Sequence, residues 1–451
     1  MAQWFTTKTR SSSTFILVAL CFALFTDTFI YGIIVPILPF LLLKHDMAPR
    51  DVQKWSSVLL ASYGGALLLG SPVVGYFSDK YHPRKALVGG FIAMALATGL
   101  FISASNVWVL LIARVLQGFS GAVVGVLGLS MIAQTASPEH LGSHMACGSA
   151  ALTWGMLCGP MAGGFLFSQF GTVGAFGVPI ILLMIDIVLR MLIIQGLLLH
   201  FFLILPDANK ETDETKIYHE DSPLLESEVS SDTELSFYHL LHPIMLGVIF
   251  CVFIIASILS AFETTLPLYV LDTYHWSSLG AGLVFLPMTI PSVLSISITH
   301  FIRHFSPRAV VVTGFVVMAV PIVSLRWTQG NTIHHEITLA SLLFIIGVCL
   351  TTIQAIIMGD VSNAVRRIES LHGITGEKSG GQGRGYALCN MAFAAGQTLG
   401  PIAGGFIKRE LGWGFMTLVL AVLCLVAGLP SFFFMSAAPA KTEGKANEDD
   451  C

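Results

Sequence analysis

The sequence predicts an all-α membrane protein with twelve transmembrane helices in two pseudo-symmetric six-helix halves. The chain of 451 residues is 54% hydrophobic and only 11% charged, whereas a soluble globular protein carries about 25% charged residues because its surface faces water. Apolar runs recur along the chain, and a run of roughly 20 residues can cross about 30 Å of hydrocarbon as a helix. A glycine-rich motif of the first half also returns in the second half.

Helices rather than strands are predicted for the apolar runs, because a backbone in lipid must satisfy its own hydrogen bonds. The first run contains Asp27 and continues into Pro36 and Pro39 with no small-residue cleavage site, so we interpret it as a retained span. The predicted spans begin at Phe15, Lys54, Ala86, Trp108, Ser143, Val173, Pro243, Leu279, Arg308, Ile337, Gly385 and Trp413.

A polar segment divides the twelve spans into two groups of six. Between Asp207 and Tyr238 ten acidic residues stand against two lysines, so the segment has too little apolar area to fold by itself. A solvated spacer is the expected role, and a phosphorylation-controlled linker is the alternative. The predicted organisation is an N-terminus (1–14), a first bundle (15–205), an acidic linker (206–240), a second bundle (241–436) and a tail (437–451).

The basic residues predict the orientation of the chain. If both termini are cytoplasmic, the inner loops hold nine lysines and arginines, besides those of the termini and the linker, and the outer loops hold six. This asymmetry follows the positive-inside rule, so the N-terminus, the linker and the tail are assigned to the cytoplasm.

Motifs for enzymatic chemistry do not stand out in the chain. It has no G-x-S-x-G, H-E-x-x-H or Walker sequence, so neither an intramembrane enzyme nor direct use of ATP is expected. Seven of the eight cysteines lie in apolar segments without a C-x-x-C pair, which indicates packing rather than disulfides or a metal site. We therefore expect no cofactor, no metal and no nucleic-acid partner.

The repeated motif lies on the fifth predicted span of each half. The segment from Gly155 to Phe165 returns 241 residues later, and Gly171 and Gly412 keep the same spacing. Glycines let helices approach closely and proline permits a bend, so packing alone explains the residue types, while their recurrence favours a moving interface. Paired repeats typically enclose a substrate site near the bilayer midplane. The shared small residues and prolines are Gly155, Gly159, Pro160, Gly163, Gly164, Gly396, Gly400, Pro401, Gly404 and Gly405.

Ionisable residues inside spans are costly and are functional candidates. Asp27, Glu263 and Asp360 are the candidate carboxylates, because a carboxylate in low-dielectric surroundings can take up a proton or be neutralised by a cationic ligand. Helix capping is the alternative for Asp27. Asp360 lies near a predicted helix end, where hydration is easy.

Two further pairs of polar residues lie within predicted spans. Arg114 and Gln117 share one helix face, and a structural hydrogen bond competes with a role in proton coupling. Asp186 and Arg190 have i, i+4 spacing, for which we favour a structural ion pair.

Three motifs resemble signatures of the major facilitator superfamily and of its drug:proton antiporters. The loop from Gly75 to Lys85 resembles the signature between helices 2 and 3, Arg114 to Ala122 the helix 4 signature, and Gly155 to Gly164 the antiporter signature of helix 5. In the loop, Asp79 stands before the basic residues Lys80, Arg84 and Lys85, a combination that can form a state-dependent charge cluster. An ordinary positive-inside loop is the alternative, and His82 and Pro83 depart from the family pattern.

The first helix is similar to that of the vesicular amine transporter branch of this superfamily. The aspartate-to-proline spacing from Asp27 to Pro36 is shared, and the segment from Glu263 to Pro287 resembles helices 7 and 8 of that branch. The resemblance implies that Asp27 pairs with a substrate ammonium. A lysine and an aspartate of that branch are replaced here by Tyr63 and Asn390, which favours the fungal efflux pumps over amine loading.

The expected function is therefore proton-coupled antiport that exports a drug, toxin or secondary metabolite by alternating access. A vesicular or vacuolar amine:proton exchanger is the first alternative, and a non-transporting nutrient sensor is the second. We expect a monomer whose partners are the lipid bilayer, protons and a small-molecule substrate. The plasma membrane is the expected location, with a vacuolar or vesicular membrane as the alternative.

Overall fold

A computed structural model describes residues 13–78, 83–135, 141–204, 237–294, 305–372 and 381–434. All regular elements within these ranges are helical, as the sequence predicts. The acidic linker, the tail and the loop residues Asp79 and Lys80 lie outside the described residues, apart from a short helix at the end of the linker. The helices before the linker are α1 (Ser13–Lys44), α2 (Pro49–Ser78), α3 (Pro83–Ser103), α4 (Val107–Thr135) and α5 (Leu141–Ile204).

The helices after the linker begin with a short α6 (Phe237–Leu240). Most starts lie within four residues of the predicted ones, and several helices begin at Pro or Ser, which are favoured at or next to the first turn of a helix. The longer helices that follow are α7 (Pro243–Tyr274), α8 (Ser278–Leu283), α9 (Leu286–Val293), α10 (Pro307–Ser324), α11 (Ile333–Leu371), α12 (Gly381–Leu411) and α13 (Trp413–Phe434), and a 3₁₀ turn covers Leu325–Trp327.

Two glycines with positive φ mark equivalent turns in the two halves. Gly171 has φ +62° and bends α5 into two arms, and Gly412 has φ +85° between α12 and α13. A side chain with a Cβ is disfavoured at such φ values, so glycine is the residue that these turns require. The two arms of α5 correspond to the predicted fifth and sixth spans.

The predicted eighth span is divided into α8 and α9. Pro287 stands at the start of α9 and lacks the N–H that would bond to the carbonyl of Leu283, so the helix is interrupted around Phe285.

Among the described residues, nine helices are long and apolar enough to cross a membrane, and α5 is counted once among them. The second arm of α5, the shorter apolar segment Ser278–Val293 and the less apolar α12 account for the remaining predicted spans. The architecture is thus consistent with twelve spans.

The chain divides into two compact units. Unit 1 comprises Met1–His45 and Gly65–Asp232, and unit 2 comprises Asp46–Gly64 and Thr233–Cys451. In unit 1, α1 packs against α5 and α3 packs against α4, around an apolar core that includes Leu20, Phe91 and Val124. In unit 2, α7 packs against α12 and α10 packs against both α11 and α13.

Candidate functional site

The candidate carboxylate of unit 1 lies inside the protein. The side chain of Asp27 on α1 is 7% exposed, and its Oδ1 has no hydrogen-bond partner among the described residues. The neighbouring hydroxyls bond to backbone instead, with Thr26 Oγ1 donating to Phe22 O at 2.9 Å and Thr28 Oγ1 donating to Leu152 O at 3.1 Å. Asp27 is therefore a buried acid, and one of its two carboxylate oxygens can accept a proton or a ligand.

The glycines of the antiporter-like motif contact α1 on both sides of Asp27. A Cβ added at Gly155 would lie 2.5 Å from Phe25 O, and one added at Gly159 would lie 2.7 Å from Phe29 O. Gly163 is packed as closely against the backbone of Ile33. The motif thus holds the backbones of α5 and α1 together along the segment that carries the acid.

The repeated motif on α12 contacts α7 in the same way within unit 2. A Cβ at Gly396 would lie 2.6 Å from Phe253 O, and one at Gly404 would lie 2.7 Å from the Cβ of Ala261. Gly400 is equally close to the backbone of Ser257. In each half the fifth helix therefore packs against the first helix, and that first helix carries a buried carboxylate.

The carboxylates of unit 2 are both buried. Glu263 on α7 is 6% exposed and Asp360 on α11 is 4% exposed. The sequence suggested easy hydration of Asp360, but α11 continues for eleven residues beyond it, which keeps its side chain inside the protein. Asn390 on α12 is exposed, and Tyr63 is buried.

Arg114 and Gln117 belong to a hydrogen-bonded chain in unit 1. Arg114 Nη1 donates to Gln117 Oε1 at 3.3 Å, and Gln117 Nε2 donates to Thr98 Oγ1 on α3 at 3.1 Å. The guanidinium of Arg114, which is fully buried, also lies 5.4 Å from the ring centroid of Tyr31 on α1. The i, i+3 spacing of Arg114 and Gln117 predicts the contact between these two side chains. Thr98 and Tyr31 lie on other helices, so the sequence does not indicate their contacts with this pair.

Asp186 and Arg190 are both buried in the second arm of α5, at 0% and 4% exposure. Arg190 Nη2 donates to the carbonyl of Ala19 on α1 at 2.6 Å, and the guanidinium lies 5.8 Å from the ring centroid of Phe91. Since Nε and Nη1 of Arg190 and both oxygens of Asp186 make no hydrogen bond among the described residues, none joins the two side chains. The ion pair stays a prediction.

The residues of the predicted gating loop are only partly described. Gly75 lies near the end of α2, where a Cβ would meet no atom within 4 Å. Asp79 and Lys80 lie outside the described residues, and Arg84 and Lys85 are described only as backbone of the first turn of α3. The charge cluster at this loop stays a prediction.

An open cavity of about 830 Å³ lies in unit 2, beside the turn between α12 and α13. Tyr269, Asp272, Arg326 and Trp413 are among its lining residues, and none of the predicted site residues is. The rings of Tyr269 and Trp413 stack with centroids 3.9 Å apart, and the Tyr269 hydroxyl donates to Thr328 O at 2.8 Å. Sequence reasoning missed this aromatic and polar cavity because its residues come from three separate parts of unit 2.

Two bundles with matching glycine contacts and buried acids are the architecture of a membrane transport protein rather than of an enzyme. The chain matches the Major Facilitator Superfamily over residues 20–376. It therefore belongs to this family, as the sequence motifs suggested.

Proteins of similar sequence are also transporters. An uncharacterised MFS-type transporter of Schizosaccharomyces pombe is 29% identical over 94% of this chain and 96% of its own length. The MFS-type transporter ppzB of Metarhizium rileyi is 26% identical over 94% and 95% of the two chains. The synaptic vesicular amine transporter of Mus musculus is 24% identical over 89% of this chain and 69% of its own.

A solved structure has the same fold. The human organic anion transporter MFSD10 aligns with a TM-score of 0.59 and 15% identity, over 93% of this chain and 99% of that one. This likeness supports the fold alone. Transport of small molecules across a membrane is the activity that the family and these relatives share.

Proposed function

We propose that this protein is a proton-coupled antiporter that exports a small organic compound by alternating access. The observation that carries the proposal is the buried Asp27, which has an oxygen without a hydrogen-bond partner among the described residues and is the one acidic residue of a mainly apolar helix. Burial of a carboxylate disfavours its charged form, so the group has two low-energy states: protonated, or in contact with a ligand that donates a hydrogen bond or carries a positive charge.

Exchange between these two states provides the coupling. A proton that enters from the acidic side neutralises Asp27 and displaces bound substrate, and loss of the proton on the other side restores the site for the next substrate molecule. Two ligands that compete for one group cannot both be bound, and this competition is the thermodynamic basis of antiport. The close backbone contacts at Gly155 and Gly159 keep this part of α1 in a defined position throughout.

Glu263 is the second candidate for proton uptake. It stands on α7, whose relation to the glycines of α12 matches that of α1 to the glycines of α5. Asp360 is a third buried acid in the same unit. Arg114 and Gln117 supply buried hydrogen-bond donors near Tyr31 on α1, where they can orient a polar substrate group or tune the response of the site to protonation.

The test is a transport assay in vesicles that contain the full-length protein and an imposed pH gradient. Ethidium serves as the cationic probe and carboxyfluorescein as the anionic probe, and a pH-sensitive dye reports proton movement that depends on the probe. We expect Asp27→Asn and Glu263→Gln to uncouple proton flux from probe flux. Glu410→Gln is the matched control because the side chain of Glu410 is 49% exposed. Full coupled transport by both buried-site variants would remove Asp27 and Glu263 from the mechanism.

An amine:proton exchanger of an internal organelle is the second candidate function, because vesicular amine transporters are among the similar proteins. Competition by organic cations such as ethidium would favour it. Indifference to cations combined with transport of neutral or acidic compounds would favour the exporter. Tyr63 and Asn390 stand where the vesicular amine branch has a lysine and an aspartate. Neither side chain is charged, and this difference from that branch supports the exporter.

A further inference from the structure

The first part of α2 belongs to a different unit from the rest of the same helix. Residues 46–64 group with the second half of the chain in unit 2, whereas α2 continues beyond Gly64 into unit 1. Within unit 2, side-chain hydrogen bonds join the first turns of α2 to α7. These contacts are specific and polar.

Two side chains of α2 bind the backbone and side chain of one residue of α7. Gln53 Nε2 donates to Thr264 O at 3.1 Å, and the hydroxyls of Ser57 and Thr264 lie 3.3 Å apart. Gln53, Ser57 and Thr264 are 4%, 5% and 2% exposed. We call these three residues the α2–α7 latch. Because its groups are buried, each hydrogen bond is protected from competing water.

The latch lies on α7 next to the turn that Pro267 interrupts. Proline has no N–H, so the regular hydrogen-bond ladder of α7 is interrupted at the carbonyl of Glu263. The next two carbonyls along the helix accept side-chain N–H groups. Thr264 O accepts from Gln53, and Thr265 O accepts from Lys408 Nζ at 3.1 Å. The latch therefore joins α2 to the turn of α7 that carries Glu263.

Close packing of α12 supports the same contact. A Cβ added at Gly405 would overlap the Oγ of Ser57 and lie 3.1 Å from Gln53 Nε2. A Cβ at Gly64 would lie 2.8 Å from the backbone of Gln397. Only glycine at position 405 leaves room for Ser57 to reach Thr264. This gives Gly405 a role that differs from that of Gly396, Gly400 and Gly404, which pack against α7.

We propose that the α2–α7 latch holds the transporter in the conformation seen here and opens in another step of the cycle. The proposal rests on the alternating-access cycle of the proposed function. Side-chain hydrogen bonds suit a reversible contact, because water can replace them when the surfaces separate, whereas separated apolar surfaces would gain no such compensation. Since Thr264 follows Glu263 directly, opening of the latch also changes the surroundings of that acid.

The test measures how often Thr264 becomes accessible. Thr264→Cys is introduced into the full-length protein with its natural cysteines replaced, and its rate of reaction with a water-soluble maleimide is measured in detergent micelles. The parent without the added cysteine gives the background. We expect Gln53→Ala to raise the reaction rate roughly 5- to 30-fold, the change in the open population that corresponds to the loss of one or two buried hydrogen bonds.

Matched controls separate the latch from general loosening. Ser62→Ala removes a hydroxyl of the same helix segment that donates only within α2, to Leu59 O at 2.9 Å, and should leave the rate unchanged. Thr417→Cys reports on a fully buried position of α13, and its reaction rate should not change in Gln53→Ala. A rise at both reporter positions would indicate loosening and overturn the proposal, as would an unchanged rate at Thr264→Cys.

A second variant lies outside the latch and is tested in the same Thr264→Cys background. Gly405→Ala should also raise the reaction rate of Thr264→Cys, because the added methyl group displaces Ser57, whereas Gly428→Ala meets no atom within 4 Å and should not. Equal rates in these two variants would contradict the proposed role of Gly405. Because the assay uses neither substrate nor a proton gradient, failure of proton coupling in vesicles leaves its result unaffected, and the two proposals can fail separately.

Discussion

The contact between α5 and α1 leads to a quantitative prediction for Gly159→Ala. The added Cβ would lie 2.7 Å from Phe29 O and 2.9 Å from Gly32 Cα, whereas carbon atoms in ordinary contact are about 3.5–4.0 Å apart. Both neighbours are backbone atoms of a helix, so neither can rotate away as the end of a side chain could. The two helices must separate for the methyl group to fit.

The energetic cost follows from this separation. Overpacking of a tight interface typically destabilises by about 1–3 kcal/mol, and the backbone neighbours place Gly159→Ala at the upper end of that range. Gly125→Ala on α4 is the matched control, because its Cβ would meet no atom within 4 Å. Alanine is the better helix former at both positions by about 1 kcal/mol, so the difference between the two variants isolates the clash.

The assay is thermal unfolding of the purified full-length protein in detergent, followed by tryptophan fluorescence. We expect Gly159→Ala to unfold several degrees below Gly125→Ala, since about 1 kcal/mol shifts the midpoint of a large domain by roughly 2–4 °C. An unfolding temperature for Gly159→Ala equal to or above that of Gly125→Ala would refute the reasoning. In that case the glycines would not be what holds α1 against α5.

Two further predictions concern buried polar contacts. Gln117→Leu should lower the unfolding temperature by a few degrees, because it removes hydrogen bonds to Arg114 and Thr98 that contribute about 0.5–1.5 kcal/mol each, with more for a charged partner. A temperature equal to that of the intact protein would show that these bonds contribute nothing. Trp413→Ala should destabilise the protein far more than Tyr269→Phe. Loss of the buried, stacked indole ring should lower the free energy of unfolding by about 3–5 kcal/mol, whereas the phenylalanine keeps the stacking. Equal unfolding temperatures for these two variants would contradict the importance of the stack.

Much of the fold follows directly from local sequence. Predicted and observed helices begin at the same residue for Pro243 and Trp413, because each position joins a polar turn to a long apolar run. The division of the eighth span into α8 and α9 was not predicted from the sequence. Pro287 and Pro291 lie in this span, but proline is tolerated in the first turn of a helix as well as at a break, so its presence does not predict a break. Which outcome applies depends on the neighbouring helices.

The candidate site was predictable in part. Burial of Asp27 and Glu263 agrees with their positions inside apolar runs, whereas the burial of Asp360 differs from the easy hydration expected near a helix end. The partners of Arg190 were not predictable, because Ala19 O and the ring of Phe91 are contributed by other helices. A spacing of four residues places two side chains on one helix face, yet it does not decide which of several neighbours a long guanidinium will reach.

The sequence alone predicted the helical membrane fold, most of the helix starts, the repeat of two halves and the presence of acids within apolar helices. These features depend on how each segment by itself partitions between lipid and water. Only the tertiary structure decided that the repeated glycines contact α1 and α7, and that Gln53 binds Thr264 across 211 positions of sequence. Lipid is as apolar as a leucine side chain, so helix partners are selected by close packing and hydrogen bonding between surfaces that are distant in sequence, and hydrophobicity alone does not encode that choice.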